Sequence, residues 1–182
     1  MKIVWFLFLM VTIASCNLRS NNKPSPPGKE TLVNEVRNQT FKQLKEEIGL
    51  QPFGVGGRMM DQIKVIGLNF HYYKEVDINQ ARKLLLAAGT LLMSNININE
   101  QIRPHLENYP FGPNNIRIRI FFEKPNGSKV DLDNLSVATL IDGILEYDIK
   151  SSETGRLKTI YEETFEDAAF KLNTCMIYTN YQ

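Results

Sequence analysis

Two histidines, two cysteines, one glycine run and one acidic run are the places where this chain has the residue types for chemistry. Metal sites draw their ligands from closely spaced His, Cys, Asp and Glu. His71 falls in a strand-like segment and His105 follows Pro104, neither with such a partner at ligand spacing. Asp131, Asp133 and Asn134 echo a calcium loop, but the glycine and the distal glutamate that such a loop needs are missing. No metal and no cofactor are therefore expected. Gly54-Val55-Gly56-Gly57-Arg58 has the look of a phosphate cradle. Such cradles lie after a strand and before a helix, whose amino end faces the anion. Here a helical pattern comes first and a strand pattern follows, so the run is expected to be a loop. Glu162, Glu163, Glu166 and Asp167 offer carboxylates for acid–base work. Their position at the start of a helical pattern makes a solvated acidic turn the simpler expectation. No serine stands in a Gly-x-Ser-x-Gly frame. No catalytic residue is assigned.

The elements that must carry any site follow from periodicity. Val33, Val36, Thr40, Phe41, Leu44 and Ile48 form one helical stripe closed by Gly49. Residues 62–74 alternate as a strand whose apolar phase slips beside Gly67, the pattern of a β-bulge. Asp77 can cap a helix running to about Ser94, with Leu86 and Met93 lying off its main stripe and pointing to a second contact. A short helix is expected near Asn99–Asn108. Ile116, Ile118, Ile120 and Phe122 make the clearest strand. Leu135 to Ile149 reads as one long strand with an irregularity at Gly143, an Asp142-Gly143 hairpin being the alternative. A last strand over about Arg156–Glu162 leads into a helix capped by Thr164. The expected fold is α+β: a mainly antiparallel sheet of about four strands with helices packed on one face.

That architecture frees the second sheet face. It is expected to gather His71, Tyr73, Arg117, Arg119, Phe121, Asp142 and Glu146, with Asn69 and Ile144, as a candidate binding face. The plain alternative is that Arg117 and Arg119 merely pair across strands with Asp142 and Glu146. The chain holds 182 residues, with 21 basic against 20 acidic side chains, so nucleic acid drawn by a general positive field is not an expected partner.

The first residues give an address. Met1-Lys2 precedes an apolar run from Ile3 to Ser15, too short for a membrane span, which takes about 20 residues, but suited to a leader peptide. The run ends Ile13-Ala14-Ser15-Cys16, which resembles the lipobox of bacterial lipoproteins. The resemblance implies removal of residues 1–15, thioether attachment of diacylglycerol to Cys16 and acylation of the new amino terminus. Residues 16–29, rich in Pro and Asn, read as a tether from lipid to a single domain over residues 30–182. Cys175 lies beside Met176 and Ile177 and is expected to be an inert thiol. The sequence thus points to a lipid-anchored protein of the cell envelope, held to the membrane through its lipid and binding another protein, such as another envelope protein, or an envelope component without catalysis. An envelope enzyme using the polar groups of the open face is the alternative.

Overall fold

The computed structural model describes residues 27–179, with side chains through residue 172. The expected leader, Cys16, the expected tether up to residue 26 and the surroundings of Cys175 lie outside the described residues. Three helices, α1 (Lys29–Ile48), α2 (Ile78–Ile98) and α3 (Phe165–Thr179), lie against one six-stranded sheet. The strands are β1 (Gln51–Arg58), β2 (Val65–Tyr72), β3 (Ile116–Phe122), β4 (Leu135–Ile141), β5 (Ile144–Lys150) and β6 (Leu157–Thr164). They sit side by side in chain order. All neighbours are antiparallel except β2 and β3, which are parallel. The parallel pair follows from α2. Its 21 residues span about 30 Å, enough to carry the chain back along the sheet and re-enter from the same end.

The α+β class holds, but the sheet has six strands where four were expected. One addition is β1, where the Pro and Gly content of residues 52–57 predicts a loop. The other comes from residues 135–149, which fold as the hairpin β4–β5. Asp142 and Gly143 form its turn with φ of 49° and 82°, the paired positive values of a two-residue hairpin whose twist matches its strands. The expected bulge at Gly67 is also corrected. Gly67 pairs regularly with Gly56, and the register shift falls in β1 between Pro52 and Gly54. Ile63 is buried because it bridges Leu106, not because β2 changes faces.

The helix ends show which local signals prevailed. Gly49 closes α1 in the left-handed region with φ 77°, and the Asp77 carboxylate accepts the Gln80 N–H at 2.7 Å. Thr164 Oγ1 accepts from Asp167 N at 3.1 Å at the start of α3. α2 runs to Ile98, past the expected stop, because its asparagines are paired. Asn95 Nδ2 donates to Thr40 Oγ1 and Gln43 Oε1, both at 2.9 Å, and the Asn97 amide exchanges two bonds with the Phe111 backbone. The helix expected near 99–108 is only the 3₁₀ turn Arg103–His105.

One face of the sheet is covered by the helices. Ile66, Leu68 and Phe70 of β2 stand in register with Ile116, Ile118 and Ile120 of β3, and all six are fully buried. Phe41 of α1 meets Phe70 edge-on at 5.4 Å between ring centres. α2 lies across the middle of the sheet with α1 and α3 beside it, which explains why Leu86 is buried and Met93 half-buried against the core. Among the described residues no helix is long and apolar enough to cross a membrane.

Candidate functional site

The sheet face away from the helices is built by alternation. Gly67, Asn69 and His71 of β2 stand opposite Arg117, Arg119 and Phe121 of β3. Val137, Thr139 and Ile141 of β4 come next, followed by Ile144 and Glu146 of β5. Tyr73 follows β2 by one residue, and Asp142 sits in the β4–β5 turn.

One half of this face is aromatic. The His71 ring lies 4.2 Å from Phe53, 5.9 Å from Phe121 and 6.0 Å from Tyr73, with the last pair nearly parallel at 13°. Phe53 also meets Phe121 at 5.5 Å. Phe53 occupies the β1 register shift and reaches this cluster from a strand whose Pro and Gly content predicts a loop. It was absent from the expected face for that reason. Phe53 is 50% exposed and Tyr73 40%, so the cluster presents ring surface to solvent. Glu123 Oε1 approaches His71 Nδ1 at 3.3 Å, but off the line of a good hydrogen bond, leaving that buried nitrogen without one.

The other half is basic over a bare floor. Gly56 and Gly67 face each other there, and a Cβ on Gly67 would sit 3.3 Å from the Gly56 carbonyl carbon. Gly54 leaves room for the Asn69 amide, whose Nδ2 would be 3.1 Å from a Cβ at that position. A hollow of about 200 Å³ results, walled by Asn69, Arg117, Arg119 and Ile141. Arg117 reaches Asp142 at 3.6 Å, an exposed pair contributing at most about 1 kcal/mol. Its buried Nε has no partner among the described residues. Arg119 faces Thr139, with Glu146 one strand further on. Thr139 thus stands between Arg119 and Glu146, and no ion pair joins them among the described residues.

Exposed rings offer stacking faces, guanidinium groups offer planar donor forks, and the glycine floor offers backbone with no side chain above it. This combination suits recognition. A larger hollow of about 590 Å³ near the start of α2 includes Asp77 and Asp133, but both carboxylates are occupied: Asp77 caps α2 and Asp133 accepts from Ser152 N at 3.0 Å.

Across the sheet, the acidic run resolves differently from its expected solvated form. Glu162, Glu166 and Asp167 are exposed, whereas the Glu163 side chain is only 2% exposed. It accepts from Arg82 Nε at 2.6 Å, Tyr147 Oη at 2.8 Å and Lys171 Nζ at 2.8 Å. Burial alone would raise the Glu163 carboxyl, yet these three bonds together hold it below the ordinary carboxylate range. Burial, and then the bond to Glu163, pushes the Tyr147 hydroxyl up. The bond to Glu163 likewise raises Lys171. Inward alternation along β6 (Tyr161, Glu163) was the signal available in the sequence. Its partners lie 81, 16 and 8 residues away in the chain, beyond any local pattern. No protein family, curated protein or solved structure matches this chain.

Proposed function

We propose that the protein is exported, lipidated at Cys16 and anchored in the cell envelope, where the open sheet face of its domain docks another envelope protein without catalysis. The observation that carries this reading is the exposed cluster of Phe53, His71, Tyr73 and Phe121 beside Arg117 and Arg119. Protein–protein docking concentrates its energy in aromatic and arginine anchors of this kind. A lipobox cysteine carrying several acyl chains supplies firm membrane attachment, which one chain alone does not.

Two measurements test the proposal. Mass spectrometry of the native amino terminus is expected to find lipid on Cys16. Crosslinking in intact envelopes is expected to return a reproducible partner whose yield falls at least about tenfold in Phe53→Ala/Arg119→Glu, a loss of about 1.4 kcal/mol or more. Both side chains sit outside the core, so circular dichroism is expected to be unchanged. An unmodified Cys16, or capture indifferent to those substitutions, removes the reading.

The approach of Glu123 to His71 supports a second reading, an envelope enzyme using His71, Tyr73 and Arg117 or Arg119. A carboxylate beside an imidazole is how a general base is commonly held, and such contacts often align only once substrate binds. Cells unaffected by His71→Asn and Arg119→Gln would exclude it.

A further inference from the structure

We infer that the hollow between α2, β6 and α3 binds the phosphoryl group of a small phosphomonoester. Asn79, Arg82, Lys83, Tyr161, Lys171 and Leu172 line it, and its volume is about 520 Å³. That size lies within the roughly 300–1,000 Å³ usual for small-molecule sites. The inference is independent of the open face, which lies on the other side of the sheet.

Arg82 has five N–H groups; Nε donates to Glu163 and Nη1 donates to Asn79 Oδ1 at 2.5 Å. Among the described residues its other terminal nitrogen, Nη2, has no acceptor. Lys171 has three, of which one goes to Glu163 and one to Tyr161 Oη at 2.6 Å. Tyr161 is thus an acceptor in that bond, and its own hydrogen remains to be donated. Lys83, exposed on α2, adds an ammonium group. The acceptor that holds the array together, Glu163, is itself shut away from solvent. Among the described residues, what faces the hollow is therefore rich in donors and poor in acceptors.

Charge narrows the ligand further. Arg82, Lys83 and Lys171 carry three positive charges against the single negative charge of Glu163, leaving two to be balanced. Glu166 and Asp167 of α3 form no part of the lining. A dianionic phosphoryl group matches that excess, and its oxygens accept from several directions at once. The Tyr161 ring and Leu172 supply apolar wall for the organic part. Glu163 fixes Arg82 and Lys171 before any ligand arrives, so little side-chain freedom remains to be lost on binding.

Calorimetry on the full chain in uncharged detergent tests this, using inorganic phosphate, glycerol 3-phosphate and glycerol. Micelles doped with phosphatidic acid, compared with phosphatidylcholine alone, distinguish a lipid headgroup from a soluble ligand. Saturable binding of glycerol 3-phosphate, or of phosphatidic acid, with Kd of about 1 mM or tighter is expected, and none of glycerol. Lys83→Gln touches none of the bonds to Glu163 and is expected to weaken it at least about fivefold without moving the unfolding midpoint. Arg119→Gln on the opposite face is expected to leave it unchanged. Absence of phosphate binding, binding indifferent to Lys83→Gln, or binding abolished instead by Arg119→Gln would overturn the inference.

Discussion

Replacing Glu163 by leucine is expected to destabilise the domain by about 3–5 kcal/mol, read as a shift of the urea midpoint by circular dichroism. The loss would not come from the carboxylate's own packing. It would come from what is left behind: the Arg82 guanidinium, 10% exposed, without its countercharge, and the wholly buried Tyr147 hydroxyl without an acceptor. Lys171 contributes little to the penalty, because its ammonium is 45% exposed and can turn to water. The same logic predicts a rescue. In Glu163→Leu/Arg82→Met/Tyr147→Phe no buried polar group is stranded, and most of the lost stability is expected to return. A single variant within about 1 kcal/mol of the parent would show that the carboxylate does not tie α2 and α3 to the sheet.

The cluster also fixes a direction of pH dependence. Hydrogen bonds hold the folded pKa of Glu163 below its ordinary value of 4.5, which approximates that of the unfolded chain. A carboxyl lowered on folding stabilises the native state fully above the unfolded value and loses that contribution as pH falls through the folded one. The parent is therefore expected to lose stability below about pH 4.5 more steeply than Glu163→Gln. Parallel acid limbs for the two proteins would contradict the assignment.

Glu163 also marks how far local sequence reasoning reaches here. Periodicity located Ile116–Phe122, because every second side chain meets the same core, and Asp77, Gly49 and Thr164 announced helix ends through bonds made within one turn. Those signals are local, and the structure keeps them. Glu163 stands among exposed acids and is distinguished only by alternation and by partners on α2, β5 and α3. The candidate face shows the same division. Its β2 and β3 residues were legible from alternation. Phe53 was not, since its membership depends on β1 pairing with β2 and on the register shift at Pro52–Gly54. Arg119 and Glu146 look complementary along the chain, yet the β4–β5 hairpin inserts Thr139 between them.

Strand β1 can be tested through its glycines, because adjacent positions face opposite demands. At Gly57 φ is 148°, and a Cβ would lie 2.4 Å from the backbone oxygen of Val65 on the paired strand. A backbone atom held in the ladder cannot turn aside as a flexible side chain can. Arg37 adds constraint from below, with Nη2 of this buried side chain donating to the Gly56 carbonyl and lying 3.2 Å from the same Cβ position. Gly57→Ala is therefore expected to cost about 2–4 kcal/mol through strain and overpacking, and to loosen β1 from β2. At Gly56 a Cβ meets nothing within 4 Å and φ is unexceptional, so Gly56→Ala is expected to stay within about 0.5 kcal/mol of the parent. Hydrogen exchange at the β1 amides is the sharper readout, because a flexible loop would tolerate both changes alike. Equal protection in the two variants would mean that residues 51–58 are not held as a strand, and the Phe53 side of the candidate face would lose its support.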